Sequence, residues 1–174
     1  MGIRQIIDAI PSRSSEQRAR MRANAERALD SGPEARRSEA RALLAALEAH
    51  AEAEDMALRD RLADAPAETR VIEAFRARPP TATERRLIEV LLDNPGRTSS
   101  QLTAAMGWQA QAWHLHFGEM CKARARWLWP AETSGPDDKP FLCGILAEFD
   151  PRDATFTMKS EAAAAMVVLG IHRG

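Results

Sequence analysis

The segment Leu102-Thr103-Ala104-Ala105-Met106-Gly107-Trp108-Gln109-Ala110-Gln111-Ala112-Trp113-His114-Leu115-His116-Phe117-Gly118-Glu119-Met120 reads as two short helices meeting at a tight turn. Leu102 and Met106 lie one helical turn apart, so they share a face. Trp113, Phe117 and Met120 repeat at spacings of 4 and 3, the period of a buried helical stripe. Gly107 between them takes a left-handed conformation without a Cβ penalty. Trp108, next to the glycine, is placed to fill the angle between the helices. The opposite face of the second helix then carries Gln109, Gln111, His114, Leu115 and Gly118.

Upstream of this segment, Thr81-Ala82-Thr83-Glu84 is a helix start, with a capping hydroxyl and a carboxylate in the first turn. The helix runs through Leu87, Ile88, Val90, Leu91 and Leu92 to Asn94-Pro95-Gly96. Thr98 or Ser99 caps a helix over Ser100–Met106, and the next helix spans about Gln109 to Ala125. Downstream, Trp127-Leu128-Trp129 reads as a short strand and Pro130 to Pro140 as a loop. Phe141 to Phe149 and Ala154 to Met158 read as strands joined by the turn Asp150-Pro151-Arg152-Asp153. Ser160-Glu161 opens a last helix through Leu169, stopped by Gly170.

The Leu102–Met120 segment resembles the bihelical core of bacterial helix-turn-helix regulators. That core places apolar residues where Leu102, Met106, Trp108, Trp113, Phe117 and Met120 stand, with glycine at the turn. The strand–turn–strand order that follows is similar to a winged helix, so the resemblance covers about half the chain. It implies sequence-specific binding of double-stranded DNA, with the third helix of the module in the major groove. Gln109, Gln111 and His114 are then the candidates for base contacts, glutamine with adenine and histidine with guanine or phosphate. Arg85, Arg86, Arg97, Lys122, Arg124 and Arg126 are the candidates for phosphate contacts. The loop expected to form the wing holds Glu132, Asp137 and Asp138 beside Lys139, and phosphate repels such a tip. Either the wing stays clear of DNA, or the module is a protein–protein interaction adaptor on the same fold.

The first eighty residues are helical in pattern and rich in Ala, Arg and Glu, the composition of long solvated helices. A short helical turn ends at Pro11. Ser14 or Ser15 caps a helix to about Asp30, and Ser31-Gly32-Pro33 breaks it. A long helix then spans Glu34 to about Ala63, with Leu44, Leu47, Ala51, Leu58 and Leu62 on one thin stripe. The stripe packs either on a neighbouring helix of the same chain or across a homodimer; a two-fold operator favours the homodimer. Pro66 stops the helix, a short one follows over Glu68–Arg76, and Arg78-Pro79-Pro80 is a rigid connector. The fold class expected is mainly α with a small antiparallel sheet. It divides into a helical segment over 1–80 for oligomerisation and a winged helix-turn-helix over 81–174.

Charge gives only local support to this reading, because the net charge is −1. Residues 1–41 hold nine Arg against six acids, and residues 81–126 hold six basic residues against four acids. Residues 127–174 are acidic, four basic against seven acids. Cys121 and Cys143 fit neither a disulfide framework nor a paired zinc motif, and a reducing cytoplasm is the compartment expected. No apolar stretch is long enough to span a membrane. His114, His116 and Cys121 do not converge on one helix face, so no metal is expected. No phosphate loop, nucleophile elbow or zinc-protease motif occurs, so neither an enzyme nor a cofactor is expected.

Overall fold

The computed structural model describes residues 2–109, 112–134 and 139–171. The chain forms two compact units, Met1–Asp60 and Arg61–Gly174.

The first unit is helical. Its elements are α1 (Ile3–Asp8), a 3-10 turn (Ile10–Ser12), α2 (Ser15–Ser31) and most of α3 (Glu34–Leu62). Ser14 caps α2 through a reciprocal pair: its Oγ accepts from the Gln17 amide (3.2 Å), and Gln17 Oε1 accepts from the Ser14 amide (3.0 Å). Such a cap contributes about 1 kcal/mol. Gly32 and Pro33 turn the chain into α3, and Arg18 of α2 meets the carboxylate of Glu54 on α3 at 3.1 Å. Ile10, Ala25, Ala40 and Leu47 are buried; of the stripe on α3, Leu44 and Leu58 are half-buried and Ala51 is exposed.

The second unit is mainly helical with a small three-stranded antiparallel sheet, in the element order expected of a winged helix-turn-helix and preceded by one more helix. That helix, α4 (Ala67–Ala77), lies upstream of the Arg78-Pro79-Pro80 connector and packs on α8 (Ser160–Val168). It buries Val71, Ala74 and Phe75. Then come α5 (Ala82–Asp93), β1 (Arg97–Thr98), α6 (Ser99–Ala105) and α7 (Trp113–Lys122). Thr81 with Glu84, and Thr98 with Gln101, form the same reciprocal caps on α5 and α6. Gly107 ends the α6 turn at φ 74°, a conformation that favours glycine. After α7, β2 (Thr133–Ser134) pairs with β3 (Lys139–Pro140), a 3-10 turn spans Leu142–Ile145, and β4 (Ala147–Asp150) and β5 (Thr155–Met158) precede α8. The sheet is antiparallel with order β1-β5-β4, registered by Arg97 opposite Phe156 and Phe149 opposite Phe156.

Beyond the expected Phe141–Phe149 strand, which is a 3-10 turn over Leu142–Ile145 followed by the shorter β4, three sequence expectations change here. Trp127-Leu128-Trp129 is not a strand: the amides of Trp127 and Leu128 bond back to the carbonyls of Arg124 and Ala125, and both side chains are buried. Two successive residues facing the core fit a turn and contradict strand alternation. Second, the wing of the three-stranded sheet is the short turn between β4 and β5. The Pro130–Pro140 loop forms its own two-stranded ladder, and its Asp137 and Asp138 lie outside the described residues. Third, α7 begins at Trp113, later than expected. Ala112 precedes it in extended conformation and offers no side chain to cap the helix.

Candidate nucleic-acid interface

α6 and the sheet hold α7 in place. Thr103 Oγ1 accepts from the Trp113 amide at 2.9 Å and donates to the Ser99 carbonyl at 2.7 Å. Ser99 Oγ accepts from the His114 amide at 3.4 Å and lies 2.7 Å from His114 Nδ1. Two hydroxyls, one turn apart on α6, thus satisfy the open amides at the start of α7. The sequence signal for them was the spacing Ser99–Thr103 itself, which sequence reasoning passed over.

The inner face of α7 is fully packed. Trp113 stacks on Phe117 with ring centroids 4.5 Å apart, meets Phe156 at 5.3 Å, and donates Nε1–H to the Leu87 carbonyl at 3.2 Å. Gly118, expected on the free face, is buried instead. A Cβ there would lie 3.3 Å from Leu142 Cβ and 3.6 Å from Cys143 Sγ, so a larger residue would press the 3-10 turn back by a few tenths of an ångström. Cys121 and Cys143 are both buried. Burial pushes the Cys143 thiol up to about 12 and the Cys121 thiol well above its ordinary value, which keeps both inert as nucleophiles.

Arg124 is the main correction among the candidate phosphate contacts. It is fully buried, so it has no surface to offer a phosphate. Its Nε donates to the Arg78 carbonyl (3.0 Å) and its Nη1 to the Met120 carbonyl (3.0 Å). Nη1 and Nη2 hold the two oxygens of Glu84 at 3.2 and 3.0 Å, and the guanidinium sits 4.4 Å from the Phe75 ring centroid. Every guanidinium nitrogen is therefore engaged, as a buried charge requires. Burial alone would raise the Glu84 carboxyl. Hydrogen bonds from Arg124 and the Thr81 amide, with the charges of Arg124 and Arg78, outweigh it and hold the carboxyl below its ordinary value.

The remaining candidates divide. His114 is exposed at the start of α7, and Leu115 beside it is 61% exposed. Gln109 is exposed but lies ahead of the helix; Gln111 is outside the described residues. Lys122 is exposed at the helix end and pairs with Glu119 at 3.6 Å. Arg126 is exposed, 5.5 Å from the Trp127 ring centroid. Arg97 is exposed on β1, and Arg86 is exposed with Glu89 at 3.7 Å. Arg85 is half-buried and donates to the Gly170 carbonyl at 2.9 Å, closing the end of α8. Trp108, expected between the helices, is half-buried and stands edge-on to exposed His116 at 4.9 Å.

The wing turn does not add positive charge. It holds Asp150, Arg152 and Asp153, and Asp150 Oδ1 accepts from the Arg152 amide at 2.9 Å. Among the described residues no three His, Cys, Asp or Glu side chains converge on a metal position, and no helix is long and apolar enough to cross a membrane. Comparison of the chain with protein-family models, with curated proteins and with solved structures gives no match.

Proposed function

We propose that the chain binds double-stranded DNA through its helix-turn-helix, with α7 in the major groove, and acts as a transcriptional regulator. The observation that carries this reading is the exposed start of α7, where His114 and Leu115 stand free of the core on a helix fixed by α6. Ser99 Oγ accepts from the His114 amide at 3.4 Å and lies 2.7 Å from His114 Nδ1, within reach to donate its proton there. In the tautomer where Ser99 donates, the ring proton sits on Nε2, a donor suited to guanine O6 or N7. Leu115 offers an apolar contact of the kind that a thymine methyl accepts. Arg97, Lys122 and Arg126, with Arg86, supply about four phosphate contacts. A second copy, joined through the N-terminal helices, would double them.

Fluorescence anisotropy with a mixed-sequence duplex, titrated between low and physiological salt, tests the reading. Four neutralised phosphates give a log–log slope of roughly −3 to −4 per module. Absence of binding at low salt and high micromolar protein would sink it. The protein-adaptor reading then takes over, and it is favoured by the burial of Arg124 and by the acidic wing.

A further inference from the structure

A line of aromatic rings runs from the core of the second unit to the outer edge of its sheet. Trp113 meets Phe156 at 5.3 Å, Phe156 meets Phe149 at 5.0 Å, and Phe149 meets Phe141 at 5.4 Å. At the outer end Phe149 remains 39% exposed. There the surface is concave, a cavity of about 550 Å³ lined by Phe141, Phe149, Gly144, Glu132, Glu148 and Lys159, among others. The size is in the usual range for small-ligand and side-chain pockets.

The geometry of the pocket is built. The Phe141 amide donates to the Glu132 carbonyl at 2.7 Å, which fixes Glu132 at the rim. Gly144 lets the Phe141 ring lie against the backbone, since a Cβ there would stand 2.6 Å from the ring. Glu132 and Glu148 are exposed, and neither has an ion-pair partner among the described residues. Among the described lining residues the one cation, Lys159, directs its ammonium at the Trp129 ring, 5.7 Å from the centroid. The acidic residues Asp150, which ends β4, and Asp153, in the turn after it, lie close by in the chain. Aromatic faces beside unpaired carboxylates attract a cation that also carries apolar surface.

We infer that this pocket receives an arginine side chain from an extended basic segment of a protein partner. The guanidinium stacks on Phe149 and Phe141, and Glu132 and Glu148 neutralise its charge. The inference stands apart from DNA binding: the pocket is at the wing edge, and the groups proposed to meet DNA are on α7, β1 and α5. An acidic wing, a liability against phosphate, is an asset against a basic peptide.

The experiment is a chemical-shift titration of the full chain with the peptide acetyl-Gly-Arg-Gly-Arg-Gly-amide. The control is the same peptide with citrulline, a neutral isostere, at both arginines. The expected result is movement of the Phe141, Gly144 and Phe149 amides, with the arginine peptide bound about tenfold more tightly. The surface double variant Glu132→Gln/Glu148→Gln should abolish that preference. Equal binding of the two peptides, no binding of either, or an arginine preference that survives in the double variant would overturn the inference.

Discussion

The two units contrast in what they bury. In the first, the buried apolar side chains among the described residues are Ile10, Ala25, Ala40 and Leu47, two of them alanines. In the second, Phe75, Trp113, Phe117, Leu128 and Ile145 are all essentially inaccessible. Alanines let helices approach closely but give little area, at roughly 25 cal/mol per Å² buried. Large rings fix both the separation and the angle of the elements they join. The second unit therefore specifies one arrangement strongly, while the first gains its order from caps, charge pairs and a few contacts.

Substitutions across both units sharpen this contrast. Phe117→Ala removes a ring between Trp113 and the neighbouring helices and should cost about 3–5 kcal/mol. Leu47→Ala, at the largest buried side chain of α3 within the first unit, should cost less, about 2 kcal/mol, because so thin a core has room to relax. Denaturant unfolding of both variants measures the pair. Equal costs would mean that the first unit is as tightly packed as the second. Arg18→Ala, at the ion pair with the half-exposed Glu54, should cost under about 1 kcal/mol; a larger loss would make that pair a structural anchor.

Acid provides a further comparison. The Glu84 carboxyl is held below its ordinary value in the fold, so its contribution is present above that value and is lost as pH falls through the folded value. Thermal unfolding followed downward from neutral pH should show destabilisation in the acid range, and Glu84→Gln should flatten that dependence. An unchanged acid slope in the variant would dissociate Glu84 from the acid response.

Much of the second unit was legible in its sequence, and for identifiable reasons. Thr81 with Glu84 and Thr98 with Gln101 signal helix starts, and Trp113, Phe117 and Met120 mark a core face by spacing alone. The same spacing extends by 4 from Met120 to Arg124, so the sequence already carried the sign that Arg124 faces inward. A charged side chain overrode it, because a buried cation is costly unless a partner meets it. That partner, Glu84, is 40 residues away in the chain. β1 is two residues long, too short for any periodicity. The late start of α7 depends on hydroxyls from α6, a tertiary contact that local pattern cannot reveal. In the first unit helices were legible, but a stripe of alanines does not say which surface it meets.

The central claim is that α7 and the turn after it divide the work, with Arg124 holding the fold and His114 proposed to meet DNA. The direct measurement is thermal stability and duplex affinity, side by side, for Arg124→Ala and His114→Ala. Arg124→Ala leaves Glu84 without its buried partner and should cost about 3–5 kcal/mol, with little change in affinity per folded molecule. His114→Ala should leave the unfolding temperature nearly unchanged and weaken binding to a preferred duplex roughly fivefold to a hundredfold, the range for one good base contact. An Arg124→Ala protein that melts like the parent and loses DNA affinity would contradict the account.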